Sequence, residues 1–454
     1  MRTHHRILLV VLLVVLAKLL LLSSTSTVRA TGSFVTRQGN RLLLDGQEFR
    51  FSGANIYWLG LDENVGGVRY PTEFRVRDAL ATAREMGASV VRSHTLGIST
   101  GNVRSFERAL DCFNESSLVE HIDMAVHSAA EFGLRLVIPL TDDYHYYHGG
   151  KYNFTNWRDI ADENRFYSDP LVIADFEEYV RQRLLRRNPL TGLRAVDDPT
   201  ILAWETGNEL RPPANWTAHM ARFIKSIDPN HLVLDGTYGV NPDALHIEEV
   251  DMYSDHYYPM NLTKLASDAA LCEKASKVFF VGEYQWSSGD LTSFLRALRQ
   301  NPAVAGDTYW SLFPHADNYG FVQHQDCCTL HYPGDSAEMR ARVQQLRTHA
   351  YHMSGRSVAG FMVPPAPLIT SVDPLSGAVA WRGAVGADRY SLQVRQAGAQ
   401  QWSTLCERCA TDDQTPLALS TLPVTGSWEY RVWAHGLGAV SGPASPVYQY
   451  SFYV

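Results

Sequence analysis

Residues 201–210 read ILAWETGNEL. Ile201 to Trp204 make the apolar run of a buried strand, and the run ends in a crowd of polar groups: Glu205, Thr206, Gly207, Asn208 and Glu209. Two carboxylates and an amide at the end of a buried strand need either chemistry or a scaffold role, because unpaired charge is costly away from water. The question is whether other strands end in the same way.

Seven other runs share the pattern: FRFSGANIY, ASVVRSH, LRLVIPL, HLVLDG, VDMYSDHYY, KVFFVGEY and VAGDTYWSLF. Helix-like stretches separate them. In EFRVRDALATAREMG, Val76, Leu80, Ala83 and Gly87 fall at i, i+4, i+7 and i+11, one face of a helix. Further helices are expected over 116–132, 170–187, 214–227, 261–275, 290–300 and 336–353, and the fifth connection, TYGVNPDALHIEE, has the weakest helical signal. Eight strands alternating with helices predict an α/β chain folded as a (β/α)8 TIM barrel. An open doubly wound sheet is the rival, but no Gly-x-Gly-x-x-Gly turn follows an early strand.

In such a barrel the working groups sit at the carboxyl ends of the strands. Those ends supply Asn55, Tyr57 and Trp58; Arg92 and His94; Asp142, Asp143, Tyr144 and His145; Asn208 and Glu209; His256 and Tyr258; Glu283; and Trp310. A pair of carboxylates is what hydrolysis of a glycosidic bond requires: one protonates the leaving oxygen while the other attacks or activates water. The two need different pKa values. Arg92 is expected to keep Glu283 ionised, and Trp204 together with the Glu283 charge to raise Glu209. Trp310 can stack beneath a sugar ring, and Asn208 can reach a 2-hydroxyl. Trp58 and Trp286 are candidate platforms in the cleft. Glu205, three residues before Asn208, reads as scaffold inside the barrel.

At these residues the chain resembles glycoside hydrolase family 5. WETGNEL looks like its strand-four signature, VGEYQW like its strand-seven nucleophile segment, SDHYYP like its His-x-Tyr, and GDTYWSLF like its strand-eight tryptophan. RLLLDGQEFRFSGANIYWL is similar to the endo-β-1,4-mannanases of that family. The resemblance spans roughly residues 34–355. It implies a general acid/base at Glu209, a nucleophile at Glu283, and support from Arg92, Asn208, His256, Tyr258 and Trp310, with Asn55, Trp58 and Trp286 as further substrate contacts. It implies retention of configuration, carboxylates about 5–5.5 Å apart, and no metal or organic cofactor. Leu210 departs from the family by replacing a proline, His94 stands where a tryptophan is expected, and the tip TDDYHYYHGG lacks the usual Asn-Asn-Trp. These departures bear on substrate detail. The leading expectation is an endo-β-1,4-mannanase on a mannan polysaccharide. A β-glucanase on the same fold, or a non-catalytic carbohydrate-binding or adhesion protein, are the alternatives.

The flanks point to export. MRTHHR is basic, an apolar run interrupted by Lys18 follows, and Val28 and Ala30 stand at the −3 and −1 positions of a cleavage site, so residues 1–30 read as a signal peptide. Sequons begin at Asn114, Asn153, Asn215 and Asn261. The six cysteines are expected in disulfides of an oxidising compartment, Cys406 and Cys409 being close enough for a local bridge. HQDCCTLH does not have a standard zinc spacing, and DDYHYYHGG reads as an aromatic sugar-contacting loop more readily than as a metal site. The net charge of −8 argues against nucleic acid as partner. A secreted monomer without stable membrane association after cleavage is expected.

After the barrel segment (31–360) comes a proline-rich linker, 361–367, in the stretch FMVPPAPLIT. From 368 to 454 the chain changes to short alternating runs such as AVAWRG, RYSLQVRQ and SWEYRVWAHG. This predicts a small all-β, immunoglobulin-like sandwich that resembles a fibronectin type III domain.

Overall fold

The computed structural model describes residues 32–452 except 374, 419–425 and 439. The expected signal peptide therefore lies outside the described residues, within which no helix is long and apolar enough to cross a membrane.

Eight parallel strands close into a barrel: β1 (Phe51–Asn55), β2 (Val90–Arg92), β3 (Arg135–Pro139), β4 (Ile201–Glu205), β5 (Leu232–Asp235), β6 (Met252–Tyr257), β7 (Val278–Tyr284) and β8 (Val304–Tyr309). Each coincides with one of the eight apolar runs. The outer helices are α1 (Glu73–Glu85), α2 (Met124–Glu131), α3 (Pro170–Leu185), α4 (Ala214–Ile227), α5 (Leu262–Lys274), α6 (Leu291–Gln300) and α7 (Ala337–Met353). Their caps follow the sequence. Thr72, Asp169, Asn261, Asp290 and Ser336 each accept a hydrogen bond from a first-turn backbone N–H, which satisfies an otherwise orphaned donor. Only a 3₁₀ turn, Pro242–Ala244, fills the fifth connection. The expected helix over 116–132 begins as a 3₁₀ turn, Ser116–Leu118, and passes through a π turn, Val119–Asp123, before it becomes α2.

Side chains alternate between two layers. Trp204 and Val233 face the helices in one large apolar cluster, while Phe51, Val90, Val137, Ala203, Leu234 and Phe280 fill the barrel together with Leu42 of a small amino-terminal sheet and Val35 just before it. That plug closes the bottom, so the polar tips gather at the opposite mouth.

Beyond α7 come β9 (Leu368–Val372), β10 (Val379–Arg382), β11 (Ala387–Gln396), β12 (Ser403–Ala410), β13 (Gly426–Gly436), β14 (Ser441–Ala444) and β15 (Tyr448–Phe452). β9 pairs with β10, and the other five form an antiparallel sheet centred on β11 and β13. Trp381, Tyr390, Leu392, Tyr430 and Val432 make their common core.

One sequence reading changes here. Cys327 bonds to Cys328 and Cys406 to Cys409, but Cys112 and Cys272 are free. Cys272 is buried on α5 and Cys112 sits on a short hairpin. At the Asn153 sequon the side-chain oxygen accepts from Gly150 N and Thr100 Oγ1, and Thr155 is buried.

Candidate active site

Arg92 at the end of β2 organises the mouth. It is fully buried. Its guanidinium grips Glu205 through two bonds, Nε to Oε2 at 2.8 Å and Nη2 to Oε1 at 2.9 Å. The same group donates to Glu283 Oε1 at 2.7 Å, Asn55 Oδ1 at 3.1 Å and Asn208 Oδ1 at 2.9 Å. Burial works against its charge, but Glu205 and Glu283 more than offset that and hold its pKa above the ordinary value. Glu205 is thus the scaffold partner of a fixed cation, and removing either partner would strand a buried charge at about 3–5 kcal/mol.

The tip of β4 is shaped by tight backbone packing. A Cβ on Gly236 would lie 1.8 Å from Gly207 O, so neither of these chains could approach the other if position 236 carried a side chain. Glu209 then adopts φ +52°, a left-handed conformation that a non-glycine residue takes at a cost of about 1 kcal/mol. The N–H of Leu210 donates to Gly236 O at 2.9 Å. A proline at this position could not make that bond, which gives the departure Leu210 a physical role.

Glu209 Oε1 lies 2.5 Å from His256 Nδ1, and Glu209 Oε2 accepts from Tyr144 Oη at 2.7 Å. Glu283 Oε2 accepts from Tyr258 Oη at 2.9 Å. His256 Nδ1 is also 3.6 Å from Glu283 Oε2. A Cβ on Gly282 would come within 2.7 Å of His256 Nε2, so glycine makes room for the ring between the two glutamates. Ligand atoms of Glu209, His256 and Glu283 all lie within 4.8 Å of one another.

That spacing invites a cation, yet the donors do not suit one. The Glu209–His256 contact is a hydrogen bond with a proton in the shared space, and Arg92 places a permanent positive charge 2.7 Å from Glu283.

The expected directions of pKa shift are reversed. Burial raises Glu283, opposed by His256 and Arg92 and reinforced by the Glu209 charge. Burial would raise Glu209 too, but the hydrogen bond and charge of His256 bring it below its ordinary value. His256 in turn is raised, because Glu283 and Glu209 outweigh its burial. Trp204 plays no part: its indole points to the helix layer and donates to Asp228 Oδ2 at 2.7 Å.

A cavity of about 550 Å³ opens over these groups, lined by Asn208, Glu209, Tyr258, Glu283 and Trp310 among the expected residues. Trp310 donates its indole N–H to Asp326 Oδ2 at 2.7 Å, and Tyr57 covers one of its faces at a centroid distance of 5.2 Å. Three expectations are corrected. Trp58 is buried and donates to Leu312 O at 3.2 Å. Trp286 is buried and donates to Cys328 O at 2.6 Å. Neither indole reaches the cavity, since each is turned into the core to anchor the loop after β8. Asn55 is buried beneath Arg92, with its amide donating to Gly282 O at 2.9 Å. Asn55 and Arg92 hold the site from below and do not line it.

Asp142 is the main residue that sequence reasoning did not single out. It is fully buried, accepts from the Asn208 amide at 3.3 Å and from Tyr144 N at 3.0 Å, and lies 3.1 Å from His148 Nε2. The Asn208 side chain is therefore held between Asp142 and Arg92. The signal was present in the acidic tip TDDY, but nothing local distinguishes Asp142 from Asp143, which pairs with Lys151. Tyr146 and His148 also line the cavity, and His145 turns away to Glu163 at 2.6 Å.

A (β/α)8 barrel with two glutamates, a bridging histidine and a buried arginine at its mouth has the carboxylate pair that hydrolysis of a glycosidic bond requires. Residues 32–262 match the model of GH family 5 beta-mannosidase-like proteins, and the chain belongs to that family. The matched span carries Arg92, Asn208, Glu209, His256 and Tyr258 and stops before Glu283 and Trp310. Mannan endo-1,4-beta-mannosidase 2 of Oryza sativa subsp. japonica is 34% identical over 242 residues, 50% of this chain and 53% of the rice protein. Mannan endo-1,4-beta-mannosidase 3 of Arabidopsis thaliana is 27% identical over 261 residues, 52% of this chain and 61% of that protein. The chain thus spans about half the length of the curated relatives it matches. Among solved structures, the endo-1,4-beta-mannanase of Rhizomucor miehei superposes with TM-score 0.62 at 23% identity, over 71% of this chain and 100% of that one. The endo-beta-1,4-mannanase of Thermotoga petrophila gives TM-score 0.57 at 19% identity, over 90% of this chain and 99% of that one. Both show the fold.

Proposed function

We propose that this protein is a secreted, retaining endo-β-1,4-mannanase. The observation that carries the reading is that one carboxylate oxygen of Glu209 and one of Glu283 lie within 4.8 Å of each other around His256. Inverting enzymes keep their carboxyl groups about 6.5–9.5 Å apart to admit a water, whereas retaining ones bring them to about 5–5.5 Å. The resemblance to plant mannanases supports the choice of substrate, a β-1,4-mannan.

Glu283, held by Arg92 and Tyr258, attacks the anomeric carbon. The glycosidic C–O bond breaks as Glu209 gives its proton to the departing oxygen, and a covalent glycosyl-enzyme remains. Water then attacks the same carbon, Glu209 takes its proton, and Glu283 is released. The acid is supplied by a short shift of one proton. In the open site the charged pair Glu209⁻/His256H⁺ is favoured. A bound sugar excludes water and disfavours that ion pair, so the proton moves from Nδ1 to Oε1 and leaves both groups neutral. Once Glu283 is esterified and uncharged, Glu209 loses a repelling neighbour and more readily acts as base. Asn208, fixed by Asp142 and Arg92, binds the 2-hydroxyl of the reacting sugar, and Trp310 on the cavity wall supports its ring.

In this reading residues 1–30 are a cleaved leader, 31–360 the catalytic domain, 361–367 a linker and 368–454 a fibronectin type III-like sandwich, and the mature protein is a monomer. Digestion of mannohexaose and cellohexaose, with the anomer of the first product followed by NMR, tests the proposal. Internal cleavage of mannohexaose with retained configuration is expected. Turnover of cellohexaose alone, release of single mannose units only, or an inverted product would overturn it.

A further inference from the structure

The loop from Trp310 to Asp335 forms one wall of the cavity through Trp310 and residues 324–327. Its middle is held by the carboxyl-terminal strands. His315 is buried, with Nδ1 3.0 Å from both carboxylate oxygens of Asp78 on α1 and Nε2 3.3 Å from Asp412 Oδ2, just after β12. Arg382 at the end of β10 donates to Asp317 O at 2.9 Å and lies 4.2 Å over the ring of Phe74. Thr370 on β9 donates to Asn318 O at 2.9 Å. Three carboxyl-terminal strands and turns therefore hold three loop residues, His315, Asp317 and Asn318.

The grip continues into the site. Asp317 Oδ2 is 3.1 Å from Arg75 Nε, and Arg75 pairs with buried Asp62. Asp62 accepts from Asn64 at 2.7 Å, Asn64 Oδ1 contacts His324 Nδ1 at 2.7 Å, and His324 Nε2 is 3.3 Å from Asp326. Asp326 accepts the Trp310 indole N–H. Every link is a charged or hydrogen-bonded contact; the Arg75–Asp62 pair is buried and the others are partly exposed.

We propose that Asp412 and Arg382 are positioning residues of the cleft, by which the carboxyl-terminal sheets hold the loop after β8 and, through it, Trp310. This goes beyond a spacer role, and its consequence for sugar binding rests on the mannanase reading.

A second contact between the same two parts supplies the control. Arg340 on α7, which packs on Gly334 at the far end of the loop and not on residues 315–318, pairs with Asp388 on β11. The test compares Asp412→Asn, Arg382→Ala and Asp388→Asn in the full chain. Hydrogen–deuterium exchange of peptides covering 310–330 reads the loop without any substrate. Steady-state kinetics on mannohexaose reads the cleft. Faster exchange of 310–330 is expected in Asp412→Asn and Arg382→Ala and not in Asp388→Asn. KM should rise about threefold to tenfold in the first two, with kcat changed less than about twofold. Equal exchange in all three variants, or faster exchange with unchanged KM in an active enzyme, would overturn the proposal. If Asp412→Asn does not fold, Arg382→Ala against Asp388→Asn decides alone. Absence of wild-type turnover would overturn the mannanase reading instead, while the exchange comparison would still confirm or refute the bracing.

Discussion

The hydroxyl of Tyr258 offers a sharp test of how the nucleophile is tuned. It donates to Glu283 Oε2 at 2.9 Å, while Arg92 occupies Oε1. Tyr258→Phe removes that one donor and keeps the ring. A hydrogen bond to a charged group is worth about 1.5–3 kcal/mol, or about one to two pKa units at 1.36 kcal/mol per unit. Tyr258 as a whole residue is 43% exposed at the rim and its bond to Glu283 is only partly buried, so water can replace part of the loss, and the lower figure of about one unit applies. The sign follows from the direction of each influence. Burial raises Glu283, whereas the Tyr258 bond favours its ionised form. Without the bond Glu283 holds its proton to higher pH, and the acid limb of kcat/KM moves upward by about one pH unit, with activity above the limb reduced less than about tenfold. Because Glu209, His256 and Glu283 titrate together, the limb belongs to the set. The assay is a pH profile of kcat/KM on an aryl mannoside or mannohexaose, with circular dichroism to confirm folding. An acid limb that stays in place, or moves to lower pH, would refute the assignment of Tyr258 as a stabiliser of ionised Glu283.

Three other outcomes are expected. Asp142→Asn should lower kcat/KM about 10- to 100-fold with little change in melting temperature, because the amide can no longer accept from both Asn208 and His148; steady-state kinetics beside a thermal melt reads both. Trp286→Phe should cost about 1–3 kcal/mol of stability, seen as a lowered Tm, and leave KM within about threefold; a tenfold rise in KM without a change in Tm would place that indole in the cleft after all. His315 is buried, which works against its charge, but Asp78 and Asp412 hold its pKa up at about 10. Its folded value is above the unfolded one of about 6.5, so its contribution is complete below that lower value and is lost as pH rises through the folded value. Melting curves at pH 7 and pH 10.5 should therefore show a smaller alkaline loss in His315→Gln than in the wild type.

The barrel was legible because each strand carries its own signature, an apolar run that becomes polar at the carboxyl end, and because helix faces such as Val76, Leu80 and Ala83 are periodic. The two glutamates were legible for the same reason. The indoles were not. Trp58 and Trp286 lie just past strand ends, where alternation stops, and sequence does not tell whether such a ring turns to the cleft or to the core. The pKa directions were illegible because they hang on one contact, His256 to Glu209, between residues 47 positions apart. The role of Asp142 depends on which of two adjacent aspartates faces Asn208. The clasp on His315 joins positions 237 residues apart to Asp78, and no local pattern announces it.

The left-handed backbone of Glu209 has an evolutionary side. Among relatives of this chain, one that keeps the barrel but abandons hydrolysis is released from the need for a carboxylate there. Glycine or asparagine accepts φ +52° more readily, so such a lineage gains stability at the moment it loses chemistry. On the mannanase reading the residue at this corner is therefore a marker of occupation: a glutamate held against its own conformational preference is there for its carboxylate, and a relaxed corner would show that the need had gone.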